Sequence, residues 1–257
     1  MSFYKNAILK NTIQPLLKSC CAATIALIIG AGSTQAVTVG IDAKTNIFLA
    51  SATGTGGGTT PTPSAFSAAA GQVLTFSSVT GSTNCCGSTP DTNADGTGGI
   101  FGSTAIVSSG GISGVTAPGA LFLAGVFINT ANLPAGTAPS TLNYISTPLS
   151  TSDASFSPLL DQAFFIGDGL TGNGSGATQT FLVPTLANAL VLGFLDGGGF
   201  SGSPGAYTDN TGGLEATFNI GPATSVVPVP AALPLFGTGL AIMGFIGWRR
   251  KRKMEAA

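Results

Sequence analysis

The chain has 257 residues, of which 44% are hydrophobic and only 7% charged, with 38 glycines and 15 prolines, whereas an ordinary soluble domain carries about a quarter charged residues. So much glycine and proline demands frequent turns, and short strands joined by loops are the expected fabric. There is no histidine, which excludes a Ser-His-Asp triad, a Cys-His nucleophile pair and histidine-ligated zinc.

In chain order, Lys5, Lys10 and Lys18 precede an apolar run at 22–31, and small residues follow as far as Ala36. Basic, apolar and then small is the order of a secretory signal peptide, and ten largely apolar residues are too few to span a bilayer. Cleavage is expected after Ala36, taking Cys20 and Cys21 with the peptide.

The body, residues 37–226, holds eight aspartates and Glu215 against Lys44 alone, a net charge of −8 that the whole-chain value of −1 conceals. Such a surface repels phosphate backbones, so nucleic acid is not an expected partner. Strands are expected at 37–41, 72–79, 120–128, 162–166, 179–183, 189–195 and 214–220, each rich in β-branched and aromatic residues and bounded by turn formers. They imply an all-β domain, a single antiparallel β-sandwich of jelly-roll type. The glycine-rich stretches 54–63 and 169–176 read as loops. Cys85 and Cys86 are adjacent; a vicinal disulfide, an intermolecular bridge and two buried thiols all remain open.

Two oxygen-rich stretches stand out in the body. Asp91-Thr-Asn93-Ala-Asp95-Gly96 matches the first half of a calcium loop, in which alternate side chains converge on a hard cation. The twelfth position is Gly102 in place of glutamate, so this is no EF-hand; a calcium loop and an ordinary Asp/Asn/Gly turn are both open. The second stretch places Asp196 at the end of one expected strand and Pro204-Gly-Ala206-Tyr-Thr-Asp209-Asn210-Thr-Gly just before the next. This pattern resembles the calcium site of the galactophilic bacterial lectins of the PA-I type, and residues 69–76 resemble an early strand of that family. The resemblance implies a jelly-roll fold, side-chain calcium ligands at Asp196, Asp209 and Asn210, a backbone carbonyl ligand at Ala206, and calcium holding sugar hydroxyls. The chain departs from the family in a longer insertion after Asp196 and in lacking its sugar-contacting histidine.

At the C-terminus, residues 231–248 form an uncharged stretch of 18, and a helix of that length covers about 27 Å, enough to cross a membrane. Arg249, Arg250, Lys251, Arg252 and Lys253 follow at once and hold that end inside by the positive-inside rule. Val227-Pro228-Val229-Pro230-Ala-Ala-Leu-Pro-Leu-Phe-Gly-Thr-Gly-Leu, the apolar span and the basic block together resemble the PEP-CTERM sorting signal, with Val229 where the name-giving motif has glutamate. The resemblance implies an inner-membrane tether in a Gram-negative bacterium, processing by an exosortase with the secretion machinery, and delivery to the cell surface or beyond. The combined expectation is a non-catalytic exported protein that binds carbohydrate through calcium. The alternative is a structural component of the extracellular matrix or envelope.

Overall fold

The computed structural model describes residues 36–67, 69, 71–87 and 91–222. The expected signal peptide, the membrane helix 231–248 and the sorting-signal residues Val227 to Pro230 and Arg249 to Lys253 lie outside the described residues. Among the described residues no helix is long and apolar enough to cross a membrane.

Strands dominate. In chain order they are β1 (Val37–Asp42), β2 (Ser64–Ala65), β3 (Gln72–Cys85), β4 (Thr104–Ile106), β5 (Val115–Ala117), β6 (Ala124–Ile128), β7 (Leu142–Asn143) and β8 (Ser155–Phe156). Then come β9 (Ala163–Phe165), β10 (Leu170–Gly172), β11 (Ser175–Thr178), β12 (Thr180–Leu182), β13 (Ala189–Gly193), β14 (Ser201–Gly202) and β15 (Asn210–Pro222). Among the described residues, helical structure is confined to three 3-10 turns, Ile47–Ala50, Gly198–Phe200 and Tyr207–Asp209.

Among the described residues four sheets result, with strand orders β1-β15-β3-β12-β8, β2-β13-β6-β9, β14-β4-β5-β7 and β10-β11. Most pairings are antiparallel, but β8 with β12, β4 with β14 and β5 with β7 are parallel. These parallel pairs involve strands of two or three residues reached through long connections, and of these strands the sequence pattern marks only β12.

The five-stranded sheet and the sheet β2-β13-β6-β9 share one apolar core. Phe164 of β9 is fully buried, stacks on Phe127 of β6 at 5.3 Å and meets Phe181 of β12 at 5.2 Å. Phe181 in turn touches Phe76 of β3 and Phe156 of β8. Ring pairs at these separations add to the area they bury, so phenylalanine ties β9 to the sheet that carries β3 and β15.

β3 and β15 are longer than expected and pair along their whole length, from Asn210 opposite Cys85 to Pro222 opposite Gln72. A bulge on β3 at Ser77 falls between the pairs Ser78 with Thr217 and Phe76 with Phe218. An extra residue reverses which faces point inward. Leu74 and Phe76 are buried before the bulge, Thr83 and Cys85 after it, while Leu214, Ala216 and Phe218 of β15 keep one parity throughout.

β6 begins at Ala124 rather than 120, because Leu121 sits in the left-handed region (φ 54) and interrupts the extended run. The stretch expected as a loop at 169–176 is largely a hairpin: β10 and β11 flank Asn173-Gly174, with Gly174 at φ 65. Asn-Gly is the dipeptide best suited to the positive φ of such turns.

Replacing Phe164 with alanine removes a ring that joins the sheet β2-β13-β6-β9 to the five-stranded sheet. We expect Phe164→Ala to lower unfolding free energy by about 3–5 kcal/mol, read as a reduced urea midpoint; a loss under about 1 kcal/mol would show that β9 is not part of the shared core.

Candidate functional site

The site is built where β13 ends, β15 begins and β3 runs out. Phe194 continues from β13 and bridges Asn46, and two residues later Asp196 is almost wholly enclosed, 1% exposed. One carboxylate oxygen accepts from the Gly197 amide at 2.6 Å, and the other from Nδ2 of Asn210 at 2.7 Å. Its own amide donates to the Tyr207 hydroxyl oxygen, which donates to the Phe194 carbonyl. Its carbonyl accepts from the Gly205 amide at 2.9 Å. Gly197 is required here, since a Cβ would lie 2.7 Å from the Ser203 carbonyl oxygen and 2.9 Å from Ile106 Cδ1.

Asn210 opens β15 and is fully buried. Its Nδ2 reaches both Asp196 and the Ala43 carbonyl, whereas its Oδ1 is buried with no hydrogen-bond partner among the described residues. An unmatched amide oxygen beside a buried carboxylate is an unfavourable combination, because neither has water to solvate it. Burial pushes the Asp196 carboxyl up from 3.8 to about 6, and the charge of Asp209 adds to the rise, while the bonds from Asn210 and Gly197 oppose it.

Asp209 is exposed at the end of the 3-10 turn Tyr207–Asp209, and Ala206 precedes that turn in the left-handed region (φ 63). The four residues singled out in the sequence are therefore gathered at one place. Asp196 and Asn210 are bonded to each other, Asp209 precedes Asn210 and its charge reaches Asp196, and Ala206 follows the glycine that binds the Asp196 carbonyl. The donors are all oxygen, with two carboxylates, a set suited to a hard cation and not to a thiophilic one.

Cys85 and Cys86 are joined to each other by a disulfide bond, which settles the three alternatives left open above. Cys85 is buried in the ladder opposite Asn210, and Cys86 is exposed. The Cys86 amide donates to the Asp209 carbonyl at 3.2 Å, and its Sγ lies 3.4 Å from Asp209 Oδ2. A bonded sulfur carries no proton, so the latter is a packing contact.

The first oxygen-rich stretch is arranged differently. Asp91 accepts from Ser82 and Asn84 of β3, both at 3.0 Å. Asn93 Oδ1 accepts from the amides of Asp95 and Thr97 and from the Thr97 hydroxyl, and its Nδ2 donates to Asn173. Asp95 turns to Asp168, accepting its amide at 3.1 Å. Asp91 is thus held by β3, while Asn93 and Asp95 border one small cavity with Asp168 and Asn173, and their loop is pinned to the buried 120–123 run by backbone bonds from Ala120 to Gly96 and from Leu123 to Ala94.

Asp95 is nonetheless part of a carboxyl pair absent from the sequence reading. Burial raises it from 3.8 to about 6, with the charge of Asp168 contributing. Asp168 holds the β10–β11 hairpin through the amides of Leu170 and Gly174. Small cavities of about 190 and 150 Å³ flank the pair. The Gly-Asp-Gly and Asn-Gly spacing across 167–174 is the local signal that this segment is ordered. A further cavity of about 410 Å³, bordered by Leu182, Pro184 and Leu186, is apolar and has no titratable side chain in its lining.

No family model, no curated protein and no solved structure matches the chain.

The raised carboxyls fix a pH dependence. Their folded-state proton affinity exceeds the unfolded value, so the folded state binds more protons between about 4 and 6, and stability in metal-free buffer falls as pH rises through that window. We expect the urea midpoint to decline from pH 4 to pH 7 and Asp196→Asn to flatten part of the slope. A midpoint that climbs over this interval would contradict the assignment.

Proposed function

We propose that the body of this protein is an exported, non-catalytic β-sandwich module that binds carbohydrate through one calcium ion held by Asp196, Asp209, Asn210 and the Ala206 carbonyl. The observation that carries the reading is the buried Asp196–Asn210 pair, with its orphaned amide oxygen and a second carboxylate alongside. A divalent cation at such a place removes two costs together, since it neutralises the carboxylates and occupies the unmatched oxygen.

The asymmetry of the site supports a ligand role. Asp196 and Asn210 are enclosed, whereas Asp209 and Ala206 are exposed, so a cation here has an inner side anchored in protein and an outer side open to solvent. Calcium takes six to eight oxygens, more than these residues offer, and sugar hydroxyls suit the remaining positions. The likeness of residues 204–212 to the PA-I type lectins points the same way. The lack of any histidine leaves the choice of sugar to other groups than in that family. The core shared by the five-stranded sheet and the sheet β2-β13-β6-β9 supports the sandwich.

Export and surface delivery rest on the two termini: the signal-peptide order before Ala36 and the sorting-signal likeness from Val227 to Lys253. Exosortase and the secretion machinery are the partners this implies, with the inner membrane as a tether. Replacing Arg249 to Lys253 with glutamates should abolish correct sorting, followed by cell fractionation, because it removes the inside-positive block; unchanged sorting would sink this part of the reading.

Calcium that binds only the folded state stabilises it by RT ln(1 + [Ca]/Kd), about 2.7 kcal/mol at a hundredfold excess over Kd. At pH 7.5 we expect millimolar calcium to raise the melting temperature, EDTA to reverse the rise, Asp196→Asn to remove most of it and Asp91→Asn to leave it intact. Protons compete for Asp196, so the shift should fade as pH drops through about 6. Glycan-array binding that needs calcium completes the test. A melting temperature indifferent to calcium and EDTA favours the structural-matrix alternative.

A further inference from the structure

The Cys85–Cys86 disulfide lies against the proposed metal site at three points. Cys85 faces Asn210 in the β3–β15 ladder, the Cys86 amide holds the Asp209 carbonyl, and Cys86 Sγ packs on Asp209 Oδ2. The Sγ atoms and an Asp209 oxygen all lie within 4.8 Å of one another. Resting on the calcium reading, we infer that this disulfide is a positioning element for Asp209, so that the site binds calcium more tightly when the bond is oxidised than when it is reduced.

The physical case starts from the backbone. Cys86 adopts φ 65, a left-handed conformation that disfavours any residue with a Cβ. A bond between neighbours closes a small ring around the Cys85–Cys86 peptide and restricts the conformations open to it. Cys85 is anchored by burial in the ladder, so the ring transmits that anchorage to Cys86. Cys86 in turn holds the Asp209 carbonyl through its backbone amide, and its sulfur packs against the Asp209 carboxylate. Asp209 is otherwise exposed and sits on a single 3-10 turn, which makes it the ligand with least support of its own. Asp196, by contrast, is fixed by four hydrogen bonds, none of them made by a cysteine.

Reduction frees the turn. A dithiol attacks one sulfur, the S–S bond breaks, both cysteines end as thiols, and the dithiol leaves as its cyclic disulfide. Cys86 is then released from the ring, and the two contacts to Asp209 lose their covalent backing. Groups that orient metal ligands without touching the metal typically change affinity by 10–100-fold when lost. The effect on overall stability is small, because a bond between adjacent residues restrains almost no chain in the unfolded state.

The test is calcium titration calorimetry on the full chain, in detergent, at pH 7.5, oxidised and then reduced with dithiothreitol, with thiols counted to confirm each state. We expect Kd to weaken at least tenfold on reduction and to recover on reoxidation. The double variant Cys85→Ser/Cys86→Ser should match the reduced protein, while calcium-free circular dichroism and melting temperature stay near the wild-type values. Asp209→Asn should bind more weakly and lose the dependence on redox state, which a general loosening of the fold would not produce. Equal affinity in the two states overturns this inference and leaves the calcium site standing. Absence of calcium binding by the oxidised protein overturns both. If the double variant does not fold, the reduced wild type gives the same comparison.

Discussion

A carboxylate buried at the end of a strand is the constraint around which this domain is organised. Asp196 is removed from water yet keeps four hydrogen bonds, two to its carboxylate and two to its backbone, from the adjacent Gly197 and from Gly205, Tyr207 and Asn210, which the fold brings in. A carboxylate so placed favours its neutral form, which is why it titrates near 6. The neighbouring amide oxygen of Asn210, also buried and unmatched, is a second liability of the same kind. The two together define a place that a hard cation would relieve.

The sheets put those partners there. The register of β15 on β3 sets Asn210 opposite Cys85, and the bulge at Ser77 decides that Cys85, not Cys86, points inward. Without that extra residue the parity at the end of β3 would be reversed, and Cys86 could not meet Asp209 from the exposed side. The phenylalanine cluster works at a distance from the site. By joining β9 and β6 to β12 and β3, it holds the sheet bearing β13, and hence Asp196, against the sheet bearing β15, and hence Asn210. Fold and site are linked through a ladder on one side and a packed core on the other.

Much of this was legible in the amino-acid sequence, for identifiable reasons. β1, β9, β12 and β13 have dense apolar or β-branched runs, and each lies where the pattern places it. The gathering of Asp196, Ala206, Asp209 and Asn210 was also legible, because two of these residues end or begin strong strands and the other two lie in the intervening turn. The far halves of β3 and β15 were not. Thr80 to Asn84 is polar and glycine-bearing, and its extended form comes from pairing with β15 rather than from local preference. The β10–β11 hairpin was masked by glycine, although Asn173-Gly174 marks it. Asp91, Asn93 and Asp95 have the spacing of a calcium loop, but spacing does not reveal partners: Ser82, Asn84, Asn173 and Asp168 come from elsewhere in the chain, and they bond Asp91 to β3 but Asn93 and Asp95 to the segment 168–173.

The most direct test of the central claim follows the side chain of Asn210 itself. In an NMR titration of isotope-labelled protein with calcium at pH 7.5, the Asn210 side-chain amide and the backbone amides of Gly197 and Asp209 should shift and saturate together, while the side-chain amides of Asn93 and Asn173 stay in place. Saturating shifts confined to Asn93 and Asn173, or no shifts at Asn210, would contradict the assignment of the cation to the Asp196 pair.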